Sequence, residues 1–101
     1  MWLMVFFDLP VKTPEQRKSA NKFRNFLKSD GYYMLQFSVY VRPARGVDAC
    51  DKHLARAQSN LPKDGSVRSL IVTERQYANI KLLLGEQEKF EEVGVDQMVL
   101  L

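Results

Sequence analysis

Few side chains in this chain could carry bond-making or bond-breaking chemistry, and Asp8 stands out among them. It ends the unbroken apolar run Trp2-Leu3-Met4-Val5-Phe6-Phe7 and is followed at once by Leu9-Pro10. A carboxylate at the mouth of an apolar strand has two readings: it caps the loop into the next helix, or it offers hard oxygen ligands to a divalent cation. Mg²⁺ binds one or two carboxylates together with waters and phosphates, so one Asp8 is half a site and two copies of the chain would complete it. A metal held there would polarise a phosphodiester and activate water. Cys50 and His53 offer less. Cys50 falls on an apolar helical stripe and reads as a core residue, while His53 lies off that stripe and reads as a surface imidazole. With one cysteine and one histidine in the whole chain, disulfide frameworks and clustered zinc sites are excluded. Gly-rich phosphate loops, HExxH and paired CxxC are also absent from the sequence.

The elements that must position Asp8 can be read outward from it. Trp2 to Asp8 has the composition of a strand buried on both faces, and Pro10 stops it. Thr13-Pro14-Glu15-Gln16 has the spacing of a capping box with proline in the first turn, predicting a helix to about Ser29. Ala20, Phe23 and Leu27 form its core stripe, with Gly31 as the left-handed stop. Tyr32 to Pro43 is extended chain, broken by a turn or bulge near Gln36-Phe37-Ser38. A second helix after Gly46 carries Val47, Cys50, Leu54, Ala57 and Leu61 on one stripe and ends before Pro62. Ser66 to Thr73 is the next strand, and Thr73-Glu74-Arg75-Gln76 opens a short helical turn carrying Tyr77. Ile80 to Leu84 reads as a further strand, 86 to 92 as a polar connector, and 97 to 101 as a terminal strand.

This order is the βαββαβ plan of an α+β, ferredoxin-like fold: one domain over residues 1–101 with extra strand at the C-terminus. Alternation along the first strand puts Leu3, Val5 and Phe7 on one face and Trp2, Met4, Phe6 and Asp8 on the other. Two helices cover only one face. The other is therefore expected to meet a second copy of the chain through Met4 and Phe6, bringing the two Asp8 residues together. The terminal strand, with Met98 and Leu100, is expected to dock on the partner's sheet edge. Ser38, beginning the strand beside the first, would lie near Asp8 and orient a water or phosphate oxygen.

Charge is uneven along the chain. Residues 1 to 45 hold eight Lys and Arg against three Asp and Glu, whereas the remainder is net negative by two. Arg17, Lys18, Arg24, Lys28 and Arg42 are thus candidate contacts for a polyanion, unless the first helix simply turns a solvated face outward. The opening run has no basic flank and is far too short to span a bilayer, so neither a signal peptide nor a membrane anchor is expected, and a reducing cytoplasm is.

Taken together, Val-Phe-Phe-Asp-Leu-Pro, Thr-Pro-Glu-Gln-Arg-Lys, Lys-Phe-Arg-Asn-Phe-Leu, Gln-Phe-Ser-Val-Tyr and Val-Thr-Glu-Arg-Gln-Tyr resemble the CRISPR-associated protein two family over almost the whole length. Gly85-Glu86 and the apolar terminus resemble its type II members. The resemblance implies a homodimer that bridges dimers of the CRISPR integrase while spacer DNA is captured and inserted. It also implies metal-dependent endonuclease activity, with Mg²⁺, on RNA or double-stranded DNA. Asp8 matches the family's metal-binding catalytic aspartate, Ser38 its serine at the start of the third strand, and Arg17 or Lys18 its early helical basic residue. A free-standing toxin-like ribonuclease of the related VapD type is the alternative.

Overall fold

The structure, a computed structural model, describes residues 1–85. Along them run β1 (Trp2–Asp8), α1 (Pro14–Ser29), β2 (Tyr33–Gln36), β3 (Val39–Pro43), α2 (Gly46–Gln58), β4 (Ser66–Val72) and α3 (Glu74–Ala78). The strands form one antiparallel sheet in the order β2-β3-β1-β4. This is the expected α+β, ferredoxin-like arrangement. β1 is paired along both edges: Phe6 faces Val39 on one side and Arg68 on the other, and pairing with β4 continues to Asp8 and Ser66. The expected strand at 97–101, with Met98 and Leu100, lies outside the described residues.

Local signals set the helix starts. Thr13 accepts from Gln16 N while Gln16 Oε1 accepts from Thr13 N, and Thr73 with Gln76 repeats the device at α3. Each box satisfies backbone groups that a helix start would leave unpaired. The turn expected at Gln36-Phe37-Ser38 separates β2 from β3, and Ser38 has φ +67°. Its carbonyl oxygen accepts from Phe7 N at 3.0 Å, which ties the hairpin turn to β1 just past their last paired residues.

Alternation along β1 divides the core as expected. Leu3, Val5 and Phe7 are buried with Phe23, Leu27, Tyr32, Tyr40 and Cys50 on the helix side. Phe7 meets Phe23 edge-on at 5.4 Å and Tyr40 in a stack at 5.5 Å. The opposite face differs from expectation, because α3 folds back over part of it. Tyr77 stacks on Trp2 with centroids 4.0 Å apart, and Met4, Val41 and Tyr77 form a second buried cluster. Glu74 accepts from Trp2 Nε1 at 3.0 Å and holds α3 there. Phe6, Val39 and Val72 stay half-buried, and Leu70 is 52% exposed. So the described residues cover one end of this face and leave the rest open.

Three further expectations need correction. Ile80 to Leu84 is irregular rather than a strand, and Leu83 and Leu84 are almost fully exposed; strand-forming composition needs a neighbouring edge, and among the described residues none pairs with it. Val47 and Leu61 are exposed, and the buried stripe of α2 is Cys50, His53 and Ala57. His53 is accordingly buried instead of superficial. Its Nδ1 donates to Asp30 Oδ2 at 2.9 Å, and Arg56 donates to Asp30 Oδ1 at 2.9 Å. Asp30 closes α1, so this carboxylate ties the two long helices together; Arg42 adds a third bond, from Nε to the Asp30 carbonyl at 2.7 Å.

Gly65 lets β4 begin against the end of β1. It has φ +100°, and a Cβ there would run into the Asp8 carbonyl oxygen and lie 2.9 Å from Leu9 Cδ2. Gly46 also has positive φ, +81°, but open space beside it. Gly46→Ala should therefore cost only the backbone strain, about 1 kcal/mol. Gly65→Ala should cost about 3 kcal/mol, since steric overlap is added. Urea unfolding of the two variants tests this, and equal losses would contradict a close approach at Asp8.

A second expectation concerns acid. Burial pushes the Asp30 carboxyl up, but the hydrogen bonds and positive charge of His53 and Arg56 outweigh it and hold it below its usual 3.8. A group lowered in the folded state stabilises fully above its unfolded value, and this stability is lost as pH falls through the folded one. Stability should thus decline below about pH 4, and Asp30→Asn, costing about 2 kcal/mol at neutral pH, should make the decline shallower. Denaturant titrations across pH 3–7 measure both.

Candidate functional site

Asp8 is the last residue of β1 and the first exposed one. Strand alternation aims its side chain toward the open face, and the backbone on either side of it is fixed by Ser66, Gly65 and the Phe7–Ser38 bond. Among the described residues its carboxylate makes no hydrogen bond or ion pair. The capping role open to it from sequence is filled by Thr13, whose side chain closes the start of α1. Asp8 is left as a solvated carboxylate on a rigid support.

Ser38 sits beside this strand end, half-buried, with its backbone held one residue from Asp8. The five basic candidates do not converge there. Arg17 donates to the carbonyls of Val11 and Lys12 at 3.1 and 3.2 Å, bracing the loop that follows Asp8. Arg24 lies against Phe7 and Phe37, with its guanidinium carbon 5.9 and 5.4 Å from the ring centroids. Lys18 joins Lys22 and Lys63 around a groove of about 460 Å³ between α1 and the α2–β4 loop, floored by Phe23 and Leu61. Lys28 is exposed near the far end of α1, and Arg42 is held by Asp30 and by the Pro43 carbonyl. Basic charge thus runs along α1, and only Arg17 and Arg24 brace the Asp8 end.

Several contributors escaped the sequence pattern. Gly65 shapes the Asp8 backbone, yet no local pattern around it points to that strand end. Phe37 is 76% exposed at the hairpin tip, and only the positive φ of Ser38 and the Arg24 contact mark it out.

A hard, solvent-accessible carboxylate fits Mg²⁺, which takes oxygen ligands and keeps much of its water. Among the described residues no group of three or more His, Cys, Asp and Glu could hold an ion. Among the described residues Asp8 would thus be a single protein ligand at this end, the fit of half a site rather than of a complete one. No helix among the described residues is long and apolar enough to cross a membrane.

Comparison with known proteins gives a consistent result. The family described as "CRISPR associated protein Cas2" matches residues 1–80. A protein of Acidovorax ebreus named CRISPR-associated endoribonuclease Cas2 is 54% identical over 85 residues, covering 84% of this chain and 83% of that one. A protein of the same name from Ligilactobacillus salivarius is 42% identical over 101 residues, covering all of both chains. The crystal structure of Streptococcus pyogenes Cas2 at pH 6.5 superposes with a TM-score of 0.60 at 24% identity, over 82% of this chain and 99% of that one, a likeness of fold. With the sequence match spanning β1 through α3 and the fold agreeing, this chain belongs to the CRISPR-associated Cas2 family.

Proposed function

We propose that the chain acts as a homodimer on nucleic acid in CRISPR adaptation, and that its Asp8 end hydrolyses phosphodiester bonds with Mg²⁺. The observation that carries this reading is Asp8: a carboxylate without a protein partner among the described residues, rigidly held at the rim of an open apolar sheet face. That face is where a second copy would pack, because Phe6, Val39, Leu70 and Val72 leave apolar area beside Asp8. A two-fold axis near the strand end would set the two Asp8 side chains facing each other.

In the reaction, the paired Asp8 carboxylates would hold Mg²⁺, which when bound supplies charge for the phosphate oxygens and lowers the pKa of water. The Ser38 hydroxyl would donate to a phosphate oxygen or align the attacking water. Arg17 keeps the loop after Asp8 in place through Val11 and Lys12 and so acts on the site by position. The endoribonuclease names of the relatives support RNA as the cleaved polymer. A second role is favoured by the basic charge along α1: the dimer would lie on double-stranded spacer DNA, through Lys18 and Lys28, while bridging integrase dimers.

Asp8→Asn keeps size and removes charge. It should lower Mg²⁺-dependent cleavage of RNA on the order of a hundred-fold or more without changing the melting temperature, since the carboxylate bonds nothing in the fold. Spacer acquisition that survives this substitution would separate the scaffold role from hydrolysis; cleavage that survives it would reject the Asp8 site. Leu70→Lys puts charge on the open face and should weaken dimerisation on the order of ten-fold or more. Sedimentation of an unchanged dimer would place the contact elsewhere.

A further inference from the structure

We infer that Phe37 is a base-stacking platform that positions the polymer engaged at the Asp8 end by holding one of its unpaired bases. This rests on the reading that this end meets nucleic acid and adds to it a residue that positions the strand. Phe37 is 76% exposed, an unusual place for a large apolar ring. It does not swing freely. Its turn is pinned by the bond from Phe7 N to Ser38 O, and Arg24 lies 5.4 Å from its centroid.

Arg24 is itself anchored. Its guanidinium carbon is 5.9 Å from the centroid of Phe7, which is buried against Phe23 and Tyr40, and its NH1 donates to Asn21 Oδ1 at 3.2 Å. A ring–guanidinium–ring stack therefore runs from the core to the surface and ends in Phe37. One side of that terminal ring meets a cation, and its exposure leaves room on the other for a planar partner. Aromatic rings stack on any base through its π-face, and a nearby arginine adds cation–π attraction and donors for phosphate. Bases inside a duplex already have both faces covered, so an unpaired base is the one that fits.

A second copy of the chain is a poorer occupant. Phe37 packs through Arg24 onto the helix side of the sheet, whereas the open apolar face, with Phe6, Val39 and Leu70, is the opposite one. Its setting is cationic, with Arg24 beneath it and Arg17 two turns earlier on α1. The turn that carries the ring is tied by its backbone to the residue before Asp8, so the platform stands at the same end of the sheet as the carboxylate, on the helix side. A base held on Phe37 would fix the register of the strand as it passes this end of the sheet.

The full chain, titrated with a labelled eight-nucleotide single-stranded RNA and with the same sequence annealed to its complement, tests this by fluorescence anisotropy. Phe37→Ala and Phe37→Leu should each weaken single-strand binding on the order of ten-fold and leave duplex binding and the sedimentation of the protein unchanged. Phe37→Trp should bind as tightly as the parent, with its emission quenched by the oligonucleotide; Trp2, stacked on Tyr77, provides the background signal. Unchanged single-strand affinity in Phe37→Ala, wild-type affinity in Phe37→Leu, a parent chain that does not bind the single strand, or a shift in oligomeric state with binding intact would each overturn the platform. The readout is binding, so loss of cleavage in Asp8→Asn bears on hydrolysis alone, and cleavage with unaltered binding in Phe37→Ala rejects the platform alone.

Discussion

A strand that is hydrogen-bonded along both edges and packed on both faces can offer a functional group only where it ends. β1 is such a strand, with β3 and β4 on its flanks, the Leu3, Val5 and Phe7 cluster beneath and the Met4 cluster above. Each buried large side chain in it contributes about 1.5–3 kcal/mol, so sliding or tilting the strand would be opposed by most of the core at once. Asp8 inherits that rigidity. A solvated carboxylate is ordinarily mobile; here its Cα is fixed by pairing to Ser66, its carbonyl is crowded by Gly65, and the preceding amide is tied to Ser38.

The helices stiffen the same arrangement from one side. α1 and α2 share the face under Phe7, and the Asp30 carboxylate joins the end of one to the middle of the other. An acid group this enclosed would be costly without partners. Its two nitrogen donors and the Arg42 bond to its carbonyl make it a strut. The opposite face is fastened differently, by the Trp2–Tyr77 stack and the Glu74 contacts of α3, which leaves apolar area where α3 does not reach.

Much of this was readable in the residues because the signals are local. Capping boxes at Thr13 and Thr73, the stripe Ala20-Phe23-Leu27 and the alternation from Trp2 to Asp8 each fix one element within a few positions, and their order fixes the plan. What was not legible depends on residues far apart. His53 reads as polar and off-stripe because its partner, Asp30, belongs to another helix; once that carboxylate is in place, an imidazole can occupy a core position that apolar periodicity would deny it. Ile80 to Leu84 has strand composition, but a ladder is a property of two segments. At the candidate site, Asp8 was legible as the last residue of its strand, whereas Ser38, expected to begin the neighbouring strand, lies in the turn before it. The support from Gly65 and the contact between Arg24 and Phe37 were not legible, since both arise only when the sheet closes.

The hairpin turn carries one more implication. With φ at +67°, position 38 admits side chains according to backbone shape before any chemistry is asked of them: a β-branched residue is disfavoured there, while glycine, asparagine and small polar residues are tolerated. The Ser38 side chain thus stands where the fold already filters for compactness. Threonine, the usual chemical equivalent of serine, is penalised at this point by its extra methyl, so the local vocabulary for a compact hydroxyl on this turn shrinks to serine itself.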